Sequence, residues 1–371
     1  MYLALCVFGC LLLVVYTALM AYYLWWWNRV PVQDLRLGTE ALKISVVIAA
    51  RNEAHNLPAL LHSLNNQQYP ISLFEVILVN DHSTDGTAAV VQASAQPHIK
   101  LLCADAQQSG KKAALARGIG AARYRHLVIT DADCVPPPQW LSGMATAFTQ
   151  GADFIAAPVQ YNGNSSVLHI FQTLDFLTLQ GITAAGVASG LHSLCNGANL
   201  GYTKEAFIKV NGFAGVNHIA SGDDVLLMHK IKKGGGKIVY LKNKEAIVYT
   251  SPAPTWKAFI EQRVRWGSKT TAYQDRSLFW ALLLVFVLNA FLLIIFIACF
   301  FNIQFWIPAF GLLIWKTAVE LPFVYGVAKF FNQQKLVIWF PFLQPVHVLY
   351  TVAVGLLSQA GSYRWKGRST K

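Results

Sequence analysis

The stretch FEVILVNDHSTDGTAAVVQASA, residues 74–95, contains the pattern that decides the fold. It begins with a short apolar run, which is typical of a strand buried on both faces, and residues 84–95 are predicted to form a helix. Asp81 stands at the end of the strand, before the helix begins. The same order of apolar strand, polar turn and amphipathic segment recurs from Lys43 to about Arg276.

This recurrence predicts an α/β fold. The predicted strands are residues 44–50, 74–80, 99–103, 126–130 and 154–158. The predicted helices are residues 55–66, 84–95, 111–122 and 138–148. Strands that alternate with helices imply right-handed crossovers and a doubly wound, mostly parallel sheet. Ligands of such sheets bind beyond the carboxyl ends of the strands.

The composition indicates that a membrane part accompanies this domain. Hydrophobic residues make up 54% of the 371 residues and charged residues 13%, against roughly 25% charged in a typical soluble domain. The net charge of +12 fits basic residues beside membrane spans, contact with anionic lipid, or phosphate binding. Nucleic-acid binding is disfavoured, because no Lys/Arg cluster with interleaved aromatics occurs. The 6 cysteines contain no CxxC pair, so we expect neither disulfides nor zinc.

The membrane part is predicted at both ends of the chain. Residues 1–28 form an N-terminal transmembrane helix, which ends in the aromatic residues 25–27 and is followed by Arg29. Residues 43–276 form the globular domain, residues 277–358 the C-terminal membrane region and residues 359–371 a basic tail. The basic residues predict that the domain and the tail are cytosolic, in an integral protein of a bacterial inner membrane.

The number of C-terminal spans stays open. Residues 278–301 predict one span, and residues 303–327 and 336–357 are two further candidates. Lys316, Glu320 and Pro322 interrupt the second candidate. A cytosolic tail requires an even number of crossings after the domain, so one of the last two candidates is expected to be interfacial or re-entrant.

Acidic residues follow the predicted strands. Asp131 and Asp133 leave one strand end together, as a DxD that can hold Mg²⁺ or Mn²⁺ on a diphosphate. Asp81 ends another strand and can bind a nucleoside, although the residues after it also resemble a helix cap. Asp223 and Asp224 precede an apolar run, where a helix cap is the alternative interpretation.

Two further elements are ambiguous when each is taken alone. Gly110 and Lys111 open a helix and favour phosphate, although a solvated basic turn is an equal alternative. Gln262, Arg265 and Trp266 share one face of a helix predicted over residues 255–273. They can bind a sugar or a phosphate, or they can mark an interfacial amphipathic helix.

In their order along the chain, these elements resemble the membrane-bound family 2 glycosyltransferases, from Lys43 to about Lys269. The motifs that carry the resemblance are Ala50-Arg51-Asn52-Glu53, Asn80-Asp81-His82-Ser83-Thr84-Asp85, Gly110-Lys111, the DxD of Asp131 and Asp133, Cys195-Asn196-Gly197-Ala198-Asn199, and the QxxRW of Gln262, Arg265 and Trp266. Two departures occur. The acidic pair is Asp-Asp where the family has Glu-Asp, and the nucleotide motif begins Asn-Asp where the family has Asp-Asp.

The resemblance implies a GT-A-like fold and an inverting sugar transfer from a nucleotide-diphospho-sugar, with a UDP-sugar expected. It implies that Asp224, beside Asp223, is the catalytic base and that Asp131 and Asp133 bind Mg²⁺ or Mn²⁺. The residues implied in donor binding are Ala50, Asn52, Glu53, Asp81, Lys111, Asp131 and Arg265. The residues implied in acceptor binding are Asn196, Gly197, Gln262 and Trp266.

Three functions compete at this stage. The favoured one is sugar transfer to a lipid acceptor at the cytosolic membrane face. The alternative is a processive polysaccharide synthase that extends and exports a glycan, and the third is an inactive membrane scaffold. A transporter is disfavoured, because Lys316 and Glu320 are few and were expected near the interfaces.

Overall fold

The computed structural model describes residues 2–34, 42–94, 96–105, 109–163, 166–216, 222–269, 275–359, 363–365 and 368–370. The chain forms two compact units. The α/β unit comprises Val30–Asn162 and Ser193–Ser251, and the helical unit comprises Met1–Arg29, Gly163–His192 and Pro252–Lys371.

Helices and strands are numbered along the chain. The helices are α1 (Tyr2–Arg29), α2 (Leu57–Asn65), α3 (Thr87–Ser94), α4 (Lys111–Ala121), α5 (Trp140–Thr149), α6 (Val167–Ser189), α7 (Lys204–Lys209), α8 (Val225–Lys233), α9 (Trp256–Gly267), α10 (Arg276–Ala298), α11 (Trp306–Phe330) and α12 (Phe340–Leu357). The strands are β1 (Ile44–Ala50), β2 (Phe74–Asn80), β3 (Ile99–Cys103), β4 (His126–Ile129), β5 (Cys134–Val135), β6 (Phe154–Ala156), β7 (Val159–Tyr161), β8 (Leu200–Thr203), β9 (Ile238–Tyr240), β10 (Val248–Thr250), β11 (Tyr363–Trp365) and β12 (Arg368–Thr370).

The α/β unit is built on a seven-stranded sheet of order β3-β2-β1-β4-β8-β6-β9. Its pairs are parallel except where β8 runs antiparallel to β4 and to β6. The central strand β1 is buried along nearly its whole length, as its apolar sequence predicts. Helix α4 packs closely on β1 and β2, and a Cβ on Gly118 would overlap Val47. The predicted α/β, mostly parallel GT-A-like fold is confirmed.

Three predicted strands, β1, β2 and β3, match the structure to the residue. The predicted ends of the other two were wrong. Strand β4 stops at Ile129, because the Thr130 hydroxyl turns to donate to the carbonyl of Ala198 at 2.8 Å. Strand β6 stops at Ala156, two residues before Pro158, which has no N–H to donate to a strand ladder.

The helix boundaries also differ from the predictions. Helix α3 begins at Thr87 and not at residue 84, because the Thr84 N–H donates to Asn52 at 2.8 Å and the Asp85 carboxylate accepts from the N–H of Thr87 at 3.0 Å. The predicted residue 95 lies outside the described residues. Helices α2, α4 and α5 differ from the predictions by one or two residues at their ends, and α9 ends at Gly267.

Among the residues that the structure describes, four helices are long and apolar enough to cross a membrane, by length and composition, and all four belong to the helical unit. They span Tyr2–Arg29, Arg276–Ala298, Ile303–Phe330 and Gln334–Leu357. The helical unit also contains α6 and α9, although both helices lie within residues 43–276, the segment predicted to be globular. Helix α6 was not predicted, and residues 163–192 and 252–269 pack with the apolar helices.

Helix α11 is continuous through Lys316, Glu320 and Pro322. Lys316 and Glu320 are buried, and Lys316 Nζ lies 2.8 Å from Glu320 Oε1. Gln344 of α12 accepts a hydrogen bond from Lys316 at 2.8 Å, and Tyr16 of α1 donates to Glu320. The two charges therefore pair with each other and with polar groups of neighbouring helices.

Candidate active site

The loops that follow β1 and β2 are joined by hydrogen bonds. The N–H of Asn52 donates to Ser83 Oγ at 3.0 Å, and Asn52 Oδ1 accepts from the N–H of Thr84 at 2.8 Å. The N–H of Glu53 donates to Thr87 Oγ1 at 2.9 Å. Asn52 has a φ of 54°, a left-handed conformation that asparagine tolerates better than most residues. The two motifs therefore form one rigid edge at the carboxyl ends of adjacent strands.

Asp81 links this edge to the start of α4. Its side chain is buried, and both carboxylate oxygens accept from the N–H of Gly110, at 3.0 and 3.1 Å. Gly110 has a φ of 109°, which favours glycine. Ala50 contributes through its backbone, since its carbonyl accepts from the N–H of Asp81 at 2.8 Å. Asp81 thus orients the segment that presents Lys111.

Lys111 lies between carboxylates from distant parts of the sequence. Its Nζ is 2.7 Å from Asp131 Oδ1 and 3.1 Å from Asp223 Oδ2. Burial opposes the charged form, but the charges of Asp131 and Asp223 outweigh it and raise the pKa of Lys111 well above its ordinary value. Lys111 is therefore a permanent cation at this sheet edge, and the DxD and the acidic pair are brought together around it.

Asp224 is the N-cap of α8, and it also contacts the predicted acceptor stretch. Its Oδ1 accepts from the N–H of Val225 at 2.8 Å, and its Oδ2 accepts from the N–H of Gly197 at 2.9 Å. Asn196 Oδ1 accepts from the N–H of Ala198 at 3.0 Å and shapes the turn that contains Gly197. The cap and the site interpretations of Asp224 are therefore both compatible with the structure.

Gly197 lies against the same charged cluster. A Cβ at this position would stand 2.9 Å from Lys111 Nζ, 3.5 Å from Asp224 Oδ2 and 3.7 Å from Asp223 Oδ2. Only glycine leaves the Lys111 ammonium where it is. The α/β unit thus joins Asp81, Gly110, Lys111, Asp131, Gly197, Asp223 and Asp224 by a continuous series of contacts.

Residues 45–210 of the chain match the family model described as glycosyl transferase family 2. The match shows what this segment of the chain is similar to.

The chain is also similar to proteins with curated names. The chain is 27% identical over 230 residues to Glycosyltransferase AglE of Haloferax volcanii, and the match covers 60% of this chain and 71% of that protein. It is 25% identical over 228 residues to the poly-beta-1,6-N-acetyl-D-glucosamine synthase of Staphylococcus epidermidis, which covers 60% of this chain and 53% of that protein. The chain therefore spans about half the length of the second relative.

A solved structure shares the fold of the chain. It is the mannosyltransferase PcManGT from Pyrobaculum calidifontis in complex with GDP-Man and Mn²⁺, with a TM-score of 0.59 and 19% sequence identity. The match covers 92% of this chain and 97% of that one. At this identity the likeness shows the fold alone, which is the GT-A arrangement.

The DxD places two carboxylates just after β4. Asp131 and Asp133 flank a turn in which the N–H of Cys134 donates to the carbonyl of Asp131 at 3.2 Å, and Asp133 is exposed. Within the described residues no group of three or more His, Cys, Asp or Glu side chains could hold a metal. Mg²⁺ needs only one or two carboxylates when substrate phosphates and water complete its shell, so the residues present fit such an ion.

The three QxxRW residues lie on α9 of the helical unit. Gln262, Arg265 and Trp266 are all half-buried, and the Trp266 ring lies 6.1 Å from that of Phe176 of α6, centroid to centroid. The helix begins at an N-cap, Thr255, whose hydroxyl accepts from the N–H of Ala258 at 3.2 Å. Gln262, Arg265 and Trp266 all belong to the helical unit.

Sequence reasoning missed several residues of these arrangements. Asp85 bonds to both loops of the β1–β2 edge. Tyr202 of β8 is buried; burial raises the pKa of its hydroxyl, and the charge of Asp223 adds to that shift. Arg263 bonds to Gln262 and to Asp175 of α6. Asp85 and Arg263 each carried a sequence signal, since Asp85 ends the quoted nucleotide motif and Arg263 lies inside the QxxRW motif.

Proposed function

We propose that this protein is an inverting, metal-dependent glycosyltransferase that moves a sugar from a nucleotide-diphospho-sugar to a lipid acceptor at the cytosolic face of a membrane. The observation that carries the proposal is the convergence of Asp131, Asp223 and Asp224 on Lys111 and Gly197 at one edge of the sheet. The four long apolar helices support the membrane location.

The proposed donor site begins at the β1–β2 edge. Asp81 and Glu53 serve the nucleoside, with Ala50 and Asn52 shaping the loops around it. Lys111 is a protonated cation that can balance the diphosphate. Asp131 and Asp133 would hold Mg²⁺ or Mn²⁺, which stabilises negative charge on the leaving diphosphate. PcManGT, the structural neighbour, was solved with GDP-Man and Mn²⁺.

The proposed transfer is a single displacement. The acceptor hydroxyl oxygen bonds to the anomeric carbon while the bond from that carbon to the diphosphate breaks, and the nucleoside diphosphate leaves. Asp224 takes the hydroxyl proton as general base. Backbone N–H groups of Gly197 and Val225 hold its two oxygens in place, and Asp223 keeps Lys111 beside it.

The acceptor side is proposed to use Asn196, Gly197, Gln262 and Trp266, with Arg265 serving the diphosphate. Relatives of both acceptor classes occur. The 4,4'-diaponeurosporenoate glycosyltransferase of Staphylococcus aureus is 33% identical over 107 residues, and the name of the Staphylococcus epidermidis relative denotes a polysaccharide synthase. A processive polysaccharide synthase is therefore the second candidate.

The test is incubation of the purified protein in native lipid with a panel of labelled nucleotide sugars, followed by mass analysis of the products. We expect a lipid that carries one added sugar, whereas a ladder of masses would favour the synthase. Asp224→Asn is expected to lower turnover at least 10³-fold, and the matched control Asp105→Asn, an exposed carboxylate, to stay within two-fold. Equal turnover in wild type and Asp224→Asn would contradict the proposal.

Metal dependence is tested separately in the same assay. Chelation and Asp133→Ala are each expected to abolish turnover, and added Mg²⁺ or Mn²⁺ to restore it after chelation alone. Full activity in the presence of chelator would remove the metal from the proposal and leave the carboxylate roles to be explained by Lys111.

A further inference from the structure

Helix α9 is anchored by two side chains, since Phe259 and Arg263 are its only buried residues and all twelve residues of the helix are described. Arg263 is 3% exposed. A charged side chain in such a position requires partners that satisfy its charge and its donors. The identity of those partners decides what Arg263 does for the motif on either side of it.

The first partner is Asp175 of α6. Arg263 Nε and Nη2 lie 2.9 Å and 2.8 Å from the same oxygen, Asp175 Oδ2. Both residues belong to the helical unit. The Nε contact is a hydrogen bond and the Nη2 contact is an ion pair with the same oxygen, so Asp175 of α6 sets the direction in which the Nε side of the guanidinium faces.

The other partners are the motif residues themselves. Arg263 Nη1 donates to Gln262 Oε1 at 2.9 Å. Its Cζ lies 4.2 Å from the ring centroid of Trp266 and 4.7 Å from that of Phe259. Arginine has no acceptor, so the amide oxygen of Gln262 must face it and the amide N–H groups must point the other way. Trp266 has a guanidinium on one face.

We propose that Asp175 and Arg263 are positioning residues that present Gln262 as a hydrogen-bond donor and hold the Trp266 ring for the acceptor. This inference rests on the proposed glycosyltransferase function. Asp175 sets the direction of the Arg263 guanidinium, and that direction sets both Gln262 and Trp266. Lysine cannot replace Arg263, because a single ammonium cannot bond to Asp175 and Gln262 in fixed directions while it covers a ring.

If the Asp175–Arg263 pair only stabilised the fold, a folded variant without the pair would bind the acceptor as wild type does. Replacing a buried ion pair by apolar residues of similar size is often neutral for stability. The double variant Asp175→Leu/Arg263→Met is therefore expected to fold but to lose the orientation of Gln262 and Trp266. Lys257→Met is the matched control, because it removes one cation from the exposed face of the same helix.

The main measurement is steady-state transfer in nanodiscs, with GDP-mannose or UDP-N-acetylglucosamine as donor and native lipid titrated as acceptor source. We expect the KM for acceptor to rise at least ten-fold in Asp175→Leu/Arg263→Met while the KM for donor stays within two-fold. Lys257→Met should match wild type. An unchanged acceptor KM in a folded double variant would overturn the inference.

A double-mutant cycle separates positioning from packing. If Arg263 acts through Gln262, Arg263→Lys should cost ten-fold or more in kcat/KM in the wild-type background and much less in the Gln262→Ala background. Gln262→Glu keeps an oxygen for Arg263 but removes the N–H donors, and it should be as impaired as Gln262→Ala. Equal losses from Arg263→Lys in both backgrounds, or an active Gln262→Glu, would contradict the inference.

A third measurement needs no substrate. Hydrogen exchange of residues 256–267 in detergent is expected to rise several-fold in Asp175→Leu/Arg263→Met, because methionine cannot hold α9 in one direction. Equal exchange in wild type and variant would overturn the inference even if no nucleotide sugar is consumed. Absence of turnover in wild type, by contrast, would contradict the proposed function alone.

Discussion

At the residue scale, Lys111 and Gly197 form a close contact in the α/β unit. Lys111 is 86 residues from Gly197 in sequence, yet its ammonium lies 2.9 Å from the place of a Cβ on that glycine. The ammonium is also held by Asp131 and Asp223. Space, and not backbone conformation, is therefore the reason why a side chain at position 197 would displace the Lys111 ammonium.

Gly197→Ala is expected to push the Lys111 ammonium away from Asp131 and Asp223 and to lower turnover at least ten-fold without unfolding the protein. The control is Gly120→Ala, where a Cβ meets nothing within 4 Å and helix α4 should gain roughly 0.5–1 kcal/mol. Turnover and melting temperature in detergent measure both effects. A fully active Gly197→Ala would show that Lys111 can move without consequence.

The titration of Lys242 makes the free energy of unfolding depend on pH. Burial lowers its pKa to about 8, whereas the unfolded side chain titrates near its ordinary value of 10.5. Between these values the unfolded chain binds a proton that the folded chain has lost, so the free energy of unfolding rises with pH from about 8 to 10.5.

Lys242→Met is accordingly expected to raise the melting temperature by a few degrees at pH 7 and to remove this rise with pH. Scanning fluorimetry at several pH values from 7 to 10 measures the melting temperature of wild type and Lys242→Met. Lys257→Met is the control, because Lys257 is exposed. The same pH dependence in Lys242→Met and wild type would assign the titration to another group.

At the element scale, α11 depends on one polar cluster. Lys316 and Glu320 neutralise each other at 2.8 Å, and Gln344 and Tyr16 bind them from α12 and α1. These contacts join three apolar helices at one depth. Packing between apolar helices has little directional preference in a lipid environment, so such polar contacts set the register of the helices.

Glu320→Leu should leave Lys316 buried without its carboxylate and cost about 3–5 kcal/mol. The double variant Lys316→Met/Glu320→Leu should recover much of that loss, while Lys329→Met on the exposed side of α11 should cost little. Thermal unfolding in detergent measures all three. A single variant as stable as wild type would show that the pair does not hold α11.

At the whole-molecule scale, the chain alternates between its two units. It begins in the helical unit, returns to it for Gly163–His192 and again from Pro252 onward. No single cut in the sequence separates the units, because α1 precedes the α/β unit and α6 lies between β7 and β8 in the sequence. We therefore expect truncation at residue 276 to leave α6 without α11 and α9 without α12, the apolar helices that each packs with beyond that residue.

The last prediction concerns the side of the membrane on which the C-terminal tail lies. Its basic residues predict a cytosolic tail, which requires that the segment from α10 to α12 crosses the membrane an even number of times. Ser369→Cys in a cysteine-free background should react with a membrane-impermeant thiol reagent only after the cells are opened. Reaction in intact cells would place the tail outside and favour three full crossings.

The sequence by itself determined the α/β class, three strands to the residue, and the residue types of the site. Alternation of buried strands with helices is a local signal, and carboxylates at strand ends follow from it. Predicted ends failed where a side chain competed with the regular structure, as Thr130 does at β4 and Asp85 does before α3.

Only the tertiary structure decided which distant residues meet. Asp131, Asp223 and Gly197 come together on Lys111 because a sheet brings loops from its carboxyl edge to one place, whatever their separation in sequence. The burial of Lys316 and Glu320 and the partnership of Arg263 with Asp175 likewise depend on which helix lies beside which. Lys111 and Arg263 are paired with carboxylates on other elements, so no short stretch of sequence contains these ion pairs.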